Sequence, residues 1–216
     1  MVVGEGPGEA KRGRGRPRRE PGAAAHRRGC EQIGFADAAN FSEALNFARA
    51  IGMEPNLWVT VQWRHAESPR PPAERVQRLL NLIGVFIRRR AGLPPVWAYA
   101  REVGKLKGEH LHLLVYVPPA HQKEFRGKLR DWIALEPMAI GGDLKQSALD
   151  VQVVEEGSIH RLKTYCLKEG TDEVRQAFWV PDTARYRRTG GVIAGKRVKV
   201  SHSINRRARQ LAAGPA

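Results

Sequence analysis

The sequence predicts an α+β fold in which a mostly antiparallel sheet carries helices on one face, in a split βαβ arrangement. Two observations predict this class. Apolar residues alternate with period two in four short segments, and they recur at helical spacing in the segments between them. The resulting order is strand, helix, strand, strand, helix, strand, and then one more helix. The second face of the sheet is expected to be open and therefore accessible to a ligand.

Each element follows from its local pattern. Strands are predicted over 57–63, 96–103 and 149–154, and in the run between Gly108 and Pro118. Helices are predicted over 73–90, 120–135 and 158–168, and a short helix over 41–51 with Asn40 as its N-cap. The loop Gly104–Gly108 is expected to join two strands as a hairpin. An edge strand over 196–199 and a short helix over 203–212 complete the prediction.

Charge divides the chain of 216 residues, whose formal net charge is +15, into three parts. Residues 1–30 are rich in Gly, Pro and Arg and are predicted to be a disordered basic arm. Residues 31–183 are predicted to form the folded domain, including the N-terminal helix. Residues 184–216 contain nine Lys and Arg residues and no acidic residue, which favours a polyanionic partner.

Several classes of protein are disfavoured by composition. No run approaches the roughly 18 apolar residues of a membrane span, and the N-terminus lacks the hydrophobic core of a signal peptide. Cys30 and Cys166 are the only cysteines and lie far apart, so neither a disulfide framework nor a zinc-thiolate site is indicated. A cytoplasmic protein without membrane contact is expected.

Two histidines two residues apart provide the first candidate site. Strand side chains alternate between faces, so His110 and His112 share one face while Leu111 and Leu113 point to the core. The strand thus presents two imidazoles side by side, and imidazole is a common ligand of divalent metals. The strand alone is equally compatible with two ordinary histidines, one buried and one half-exposed.

The last predicted helix provides a candidate nucleophile. At about 100° per residue, Arg161, Tyr165 and Lys168 fall on one stripe, separate from the apolar stripe through which the helix would dock. A phenol is a poor nucleophile at neutral pH, and neighbouring positive charge favours its phenolate. The alternative is an amphipathic tyrosine beside two solvated cations.

The combination of His110-Leu111-His112 with a downstream Tyr165-Cys166-Leu167-Lys168 resembles the HUH endonucleases of the single-tyrosine replication-initiator (Rep) type. The resemblance covers roughly residues 57–170 and includes the order of the motifs, because relaxases of the same superfamily carry the tyrosine before the histidines. It implies the ferredoxin-like HUH endonuclease fold with an active site on the open sheet face. It also implies a third metal ligand on the preceding strand, where Glu102 lies. Glu109 is the rival by proximity, but strand alternation points it away from both histidines.

The resemblance implies an enzyme that nicks and joins single-stranded DNA. Glu102, His110 and His112 would bind Mn²⁺ or Mg²⁺, with Mn²⁺ bound more tightly by a site of two imidazoles and one carboxylate. Tyr165 would form a 5′-phosphotyrosine intermediate. Lys168 would help to position groups at the site or neutralise charge there. The expected role is initiation of rolling-circle replication of a plasmid, phage or related element, by a monomer or weak dimer acting on single-stranded or hairpin origin DNA. Because the sequence contains no G-x-x-x-x-G-K-[ST] motif, a host helicase is expected to unwind the duplex.

Basic side chains outside this site are candidate DNA contacts, through phosphates and without sequence information. In the N-terminal arm, Arg14-Gly15-Arg16-Pro17 resembles the core of an AT-hook, although a plain electrostatic tail has the same composition. The remaining candidates are Arg161, Lys105, Lys107, Arg187, Arg188, Lys196, Arg197, Lys199, Arg206, Arg207 and Arg209.

Two alternative functions remain open from the sequence. A one-tyrosine HUH transposase would use the same chemistry and work as a dimer. A non-catalytic nucleic-acid-binding module of ferredoxin-like fold would need exposed aromatic residues on the open strands, for which Tyr116, Trp58 and Trp97 are the candidates.

Overall fold

A computed structural model of the protein describes residues 29–63, 70–104, 108–134 and 148–214. Residues 1–28 of the predicted arm, with Arg14 and Arg16, and the loop residues Lys105 and Lys107 lie outside the described residues. The last two residues of that arm, Gly29 and Cys30, are not disordered as predicted, because they pair with Ile193 and Ala194 as a short strand. The elements in chain order are β1 (Gly29–Cys30), α1 (Phe35–Ala50), β2 (Leu57–Gln62), α2 (Pro72–Ala91), β3 (Trp97–Gly104), β4 (Gly108–Val115), α3 (Gln122–Ala134), β5 (Leu149–Val153), α4 (Ile159–Cys166), α5 (Asp172–Ala177), β6 (Ile193–Ala194), β7 (Val198–Val200) and α6 (Arg206–Ala212).

The described strands form a five-stranded sheet in the order β5-β2-β4-β3-β7, in which every neighbouring pair is antiparallel. The predicted α+β class with an antiparallel sheet is therefore confirmed. In the pairing of β3 with β4, Glu102 lies directly opposite His110, and Ala100 lies opposite His112. The same register brings Thr60 of β2 opposite His112.

One face of the sheet packs on α2 and α3, as the alternation predicts. Leu57, Val59 and Val61 of β2 and alternate leucines of β4 are fully buried with the apolar stripes of the two helices. Helix α2 has Pro72 in its first turn and ends at Gly92, whose φ of 66° is left-handed and suits glycine. This packed layer supports the sheet, and the side chains of the opposite face, including His110 and His112, project from that sheet.

The second face differs from the expectation, because it is covered rather than open. Helices α1 and α4 pack on it, and their buried residues form a second core with the strand residues Trp58, Ala98 and Leu114. Helix α1 also begins at Phe35, six residues before the predicted start, so Asn40 is not its N-cap. The helix starts earlier because Ala38 is also buried and lies three residues before Phe41, so it extends the buried face of the helix toward the N-terminus. His110 and His112 consequently lie in an interior, with 6% exposure each.

The C-terminal segment belongs to the same folded unit. Strand β7 forms the edge of the main sheet beside β3, and β6 pairs with β1. Helix α5, which the sequence patterns did not predict, has Thr171 as its N-cap, with the side chain accepting a hydrogen bond from the Val174 backbone N–H at 3.4 Å. None of the described helices combines the length and apolar character that a membrane span requires.

Arg197 is a correction to the set of candidate DNA contacts. Its side chain is fully buried, and its guanidinium donates to the backbone carbonyls of Cys30 (3.2 Å), Arg101 (3.4 Å) and Gly191. The buried carboxylate of Glu169 lies 3.9 Å away. A guanidinium surrounded by these acceptors ties β1, β3 and the turn before β6 together, and it cannot reach a phosphate in this fold.

We expect Arg197→Met to lower the free energy of unfolding by about 3 kcal/mol, because buried carbonyls lose their donors and Glu169 loses a buried cation. Urea denaturation followed by circular dichroism measures the change. Arg206→Met is the matched control, since Arg206 is exposed on α6 and its replacement should change stability by less than about 0.5 kcal/mol. Equal effects of the two substitutions would contradict the structural role of Arg197.

Candidate active site

Three potential metal ligands converge on the covered face of the sheet. Glu102 Oε2 lies 3.1 Å from His110 Nε2 and 3.5 Å from His112 Nε2. One ligand atom of each residue lies within 4.8 Å of the other two, and all three side chains are buried. The register of β3 against β4 produces this cluster, because it sets the carboxylate across from the two same-face imidazoles.

Both imidazoles are held by their other ring nitrogen. His110 Nδ1 lies 3.2 Å from the Gly108 carbonyl, which can only accept, so Nδ1 carries a proton and Nε2 is the nitrogen that would face a metal. His112 Nδ1 lies 3.2 Å from the Thr60 hydroxyl, and the Trp58 ring stacks on this imidazole at 5.0 Å between centroids. Metal-binding histidines are oriented in this manner by partners beyond the metal.

Unpartnered polar atoms inside the cluster fit a cation. Among the described residues, Glu102 Oε1 and His112 Nε2 are buried without a hydrogen-bond partner, and such atoms are costly unless something binds them. Ligands of a metal with bonds of about 2.1 Å lie about 3.0–3.4 Å from one another, close to the separations of 3.1 and 3.5 Å found here. Glu102, His110 and His112 therefore form a group that could bind a divalent metal.

Burial and charge prepare these groups for that role. Burial lowers the pKa of His112 despite the nearby Glu102 charge, which keeps its ring neutral and able to ligate. Burial alone would raise the pKa of Glu102, but the adjacent imidazoles of His110 and His112 and the charge of Lys168 outweigh it, and that pKa lies well below its usual range. Glu102 is thus a carboxylate at neutral pH.

Glu109, the rival third ligand, is committed elsewhere. Its carboxylate accepts from Arg101 Nε at 2.7 Å and also pairs with the terminal guanidinium nitrogen of that residue. Arg101 is itself buried and donates to the Ala194 carbonyl at 2.8 Å. The preference for Glu102 over Glu109 as the third ligand agrees with this geometry.

Lys168 connects the candidate metal ligands to the candidate nucleophile. Its Nζ lies 2.7 Å from Glu102 Oε2 and donates to the Tyr165 hydroxyl at 2.8 Å. Helix α4 ends at Cys166, so Lys168 lies in the turn after it and not on the helix as predicted. Burial would lower its pKa, but Glu102 and the Tyr165 hydroxyl raise it overall, and Lys168 remains protonated.

Tyr165 lies among aromatic rings at the edge of the cluster. Its ring centroid is 5.2 Å from that of His112, 6.1 Å from Trp58 and 6.0 Å from Tyr186. Burial and the charge of Glu102 raise its pKa, and Lys168 offsets only part of this increase. The sequence-based expectation that cations activate this tyrosine therefore has to include the opposing carboxylate.

The remaining candidate DNA contacts fall into two groups. Three make ion pairs within the fold: Arg188 with Asp172 at 2.5 Å, Lys196 with Asp37 at 2.7 Å and Arg209 with Glu43 at 2.7 Å. The others among the described residues are exposed: Arg161, Arg187, Lys199, Arg206 and Arg207. Arg161 lines a cavity with Arg185 and Tyr186, and no contact of it with Lys168 or Glu102 is found within the described ranges.

Several residues near the site were not identified from the sequence. Trp58 and Thr60 could have been identified as neighbours of His112, because strand alternation places both on the face that carries the histidines. No comparable signal exists for Arg185 and Tyr186, which lie in a short 3₁₀ turn (Ala184–Tyr186) of the C-terminal segment. Their approach to Tyr165 depends on how that segment folds back.

The chain matches no protein-family model and no curated protein.

We expect the protein to bind one Mn²⁺ ion, more tightly than Mg²⁺, and to lose at least about 100-fold in affinity on Glu102→Gln or His112→Ala. Isothermal titration calorimetry measures both effects. His160→Ala is the matched control, because His160 is an exposed histidine on α4 and its loss should leave the affinity unchanged. Wild-type affinity in the Glu102 variant would exclude this cluster as the metal site.

Proposed function

We propose that the protein is a metal-dependent endonuclease of the HUH type that nicks and rejoins single-stranded DNA through Tyr165. The observation that carries the proposal is a continuous path of polar contacts. It runs from the Tyr165 hydroxyl to Lys168 at 2.8 Å, from Lys168 to Glu102 at 2.7 Å, and from Glu102 to His110 at 3.1 Å. A phenol beside a candidate metal centre, with a buried cation between them, is an arrangement suited to transfer of a phosphodiester.

Glu102, His110 and His112 would hold Mn²⁺ or Mg²⁺. A divalent cation bound there supplies a Lewis acid for a phosphate oxygen and neutralises the Glu102 charge that raises the pKa of Tyr165. The neutral His112 and the ionised Glu102 described above are the protonation states that such binding requires.

Tyr165 is the nucleophile in this proposal. Its oxygen forms a bond to phosphorus while the bond from phosphorus to the 3′ oxygen breaks, which gives a 5′-phosphotyrosine and a free 3′-hydroxyl that takes up a proton from solvent. The phenolic proton passes to solvent as the bond forms. Lys168 keeps its own proton and donates to the tyrosine oxygen as negative charge develops there. The reverse attack by a 3′-hydroxyl rejoins the strand.

This activity would serve initiation of rolling-circle replication, with a host helicase for unwinding and the exposed cations of the C-terminal segment contacting phosphates. The non-catalytic alternative loses support, because it needs exposed aromatic rings. Trp58 and Trp97 are 7% and 8% exposed, and Tyr116 is only half-buried. The transposase alternative predicts a stable dimer, which light scattering of the purified protein would detect.

We expect wild type to form a covalent adduct that survives denaturing electrophoresis when it is incubated with Mn²⁺ and a pool of single-stranded hairpin oligonucleotides labelled at the 3′ end. Tyr165→Phe should abolish the adduct, because it removes the attacking oxygen. Tyr186→Phe is the matched control, because it removes the hydroxyl of a second tyrosine whose ring lies 6.0 Å from that of Tyr165 but keeps that ring, so the adduct should still form. An adduct formed by Tyr165→Phe, or formed equally in excess chelator, would refute the proposal.

Lys168→Met should slow adduct formation by about 100-fold, as loss of one donor to a developing oxyanion does in other enzymes. Single-turnover measurements with Mn²⁺ test this. Lys163→Met, on α4 five residues before Lys168, is the control for loss of a charge. Thermal unfolding of both variants separates a slower reaction from a less stable fold. A wild-type rate in a folded Lys168→Met variant would remove Lys168 from the mechanism.

A further inference from the structure

A cavity of about 230 Å³ lies near Tyr165 and shares three of its neighbouring side chains. It is bounded by β2, the end of β5, helix α4 and the 3₁₀ turn Ala184–Tyr186. Its principal walls are Trp58, Gln152, Glu155, Arg161, Arg185 and Tyr186.

Three of these walls also surround the ring of Tyr165. The ring centroids of Trp58 and Tyr186 lie 6.1 and 6.0 Å from that of Tyr165, and the guanidinium carbon of Arg185 lies 5.9 Å from it. Trp58 additionally stacks on His112. A group in the cavity would therefore lie close to the ring of Tyr165.

Two cations at the cavity have no acidic partner among the described residues. Arg161 and Arg185 are exposed, and within the described ranges neither forms a hydrogen bond or an ion pair. Arg188, a little further along the chain, instead pairs with Asp172 at 2.5 Å. Guanidinium groups bind phosphate oxygens through paired N–H donors, so two free ones beside an aromatic wall suit a nucleotide.

The size and lining of the cavity limit the occupant. A volume of about 230 Å³ is below the range of 300–1,000 Å³ typical of sites for drug-sized ligands, and it suits one planar base. Tyr186 offers a partly exposed ring for that base to stack on. The exposed carboxylate of Glu155 makes no ion pair with any described residue and can accept a hydrogen bond from a base amino group.

We propose that this cavity is a subsite for one nucleotide of the single strand, next to the phosphate that Tyr165 attacks. Arg161 and Arg185 bind its phosphates, Tyr186 stacks on its base, and Glu155 selects cytosine over thymine by accepting from the cytosine amino group. The subsite rests on the proposed function for its position in the strand, but its binding needs no cleavage.

The test measures binding without chemistry, in excess chelator. Fluorescence anisotropy follows labelled oligocytidylate and oligothymidylate of about twelve nucleotides with the full chain. Arg161→Ala and Arg185→Ala should each weaken binding by about tenfold at about 0.1 M salt, and each should reduce the slope of log affinity against log salt by about 0.7. Arg130→Ala is the matched control, since Arg130 is an exposed arginine on α3, which packs on the opposite face of the sheet.

Wild type should bind oligocytidylate about fivefold more tightly than oligothymidylate, and Glu155→Ala should reduce this ratio to about one. Unchanged affinity in both arginine variants, or losses no larger than that of Arg130→Ala, would overturn the subsite. Equal binding of the two oligonucleotides by wild type would overturn the role of Glu155.

The outcome is separable from that of the nicking experiment. Loss of affinity in the arginine variants without any covalent adduct in wild type would support the subsite and refute the nickase. An adduct with wild-type affinity in both arginine variants would do the reverse.

Discussion

A buried carboxylate is the constraint on which the site depends. Glu102 is 1% exposed, and an ionised group at that depth is stable only if cations or donors surround it. Lys168 comes from the turn after α4, His110 and His112 come from β4, and all approach the same oxygen. Because these partners come from separate parts of the chain, the site is complete only when α4 is docked on the sheet.

The need of charged side chains for partners also explains where the basic C-terminal segment lies. Its charge favours a polyanion partner, yet Arg197 is fully buried among backbone carbonyls and three other cations pair with acids of the fold. Glu169 in turn accepts from the Thr189 backbone N–H at 2.6 Å and from its hydroxyl at 3.0 Å. Part of the positive charge therefore holds this segment against the sheet, and that docking brings Arg185 and Tyr186 beside Tyr165.

Most of the fold could be predicted from the sequence, and the site only in part. The strands, the two helices on the first face and the shared face of His110 and His112 follow from periods of two and 3.6, which are local properties. The covering of the second face could not be found in this way. The apolar stripe of α1 was predicted too short, and its contacts with β3 and β7 join residues far apart in sequence.

The sequence by itself determined which side chains share a face, and so which ligands and which nucleophile could meet. Alternation along β4 pointed Glu109 away from both histidines, because it is fixed by backbone geometry. Glu102 was suggested only by the motif resemblance, and the register of β3 against β4 decided its place. Only the tertiary structure decided that Lys168 bridges Glu102 and Tyr165 and that Arg197 is internal. It also decided that Arg161 and Arg185 form no hydrogen bond or ion pair with the described residues. Each of these features depends on where a long side chain lies relative to elements that are distant in sequence. The spacing of residues along the chain contains no information about such contacts.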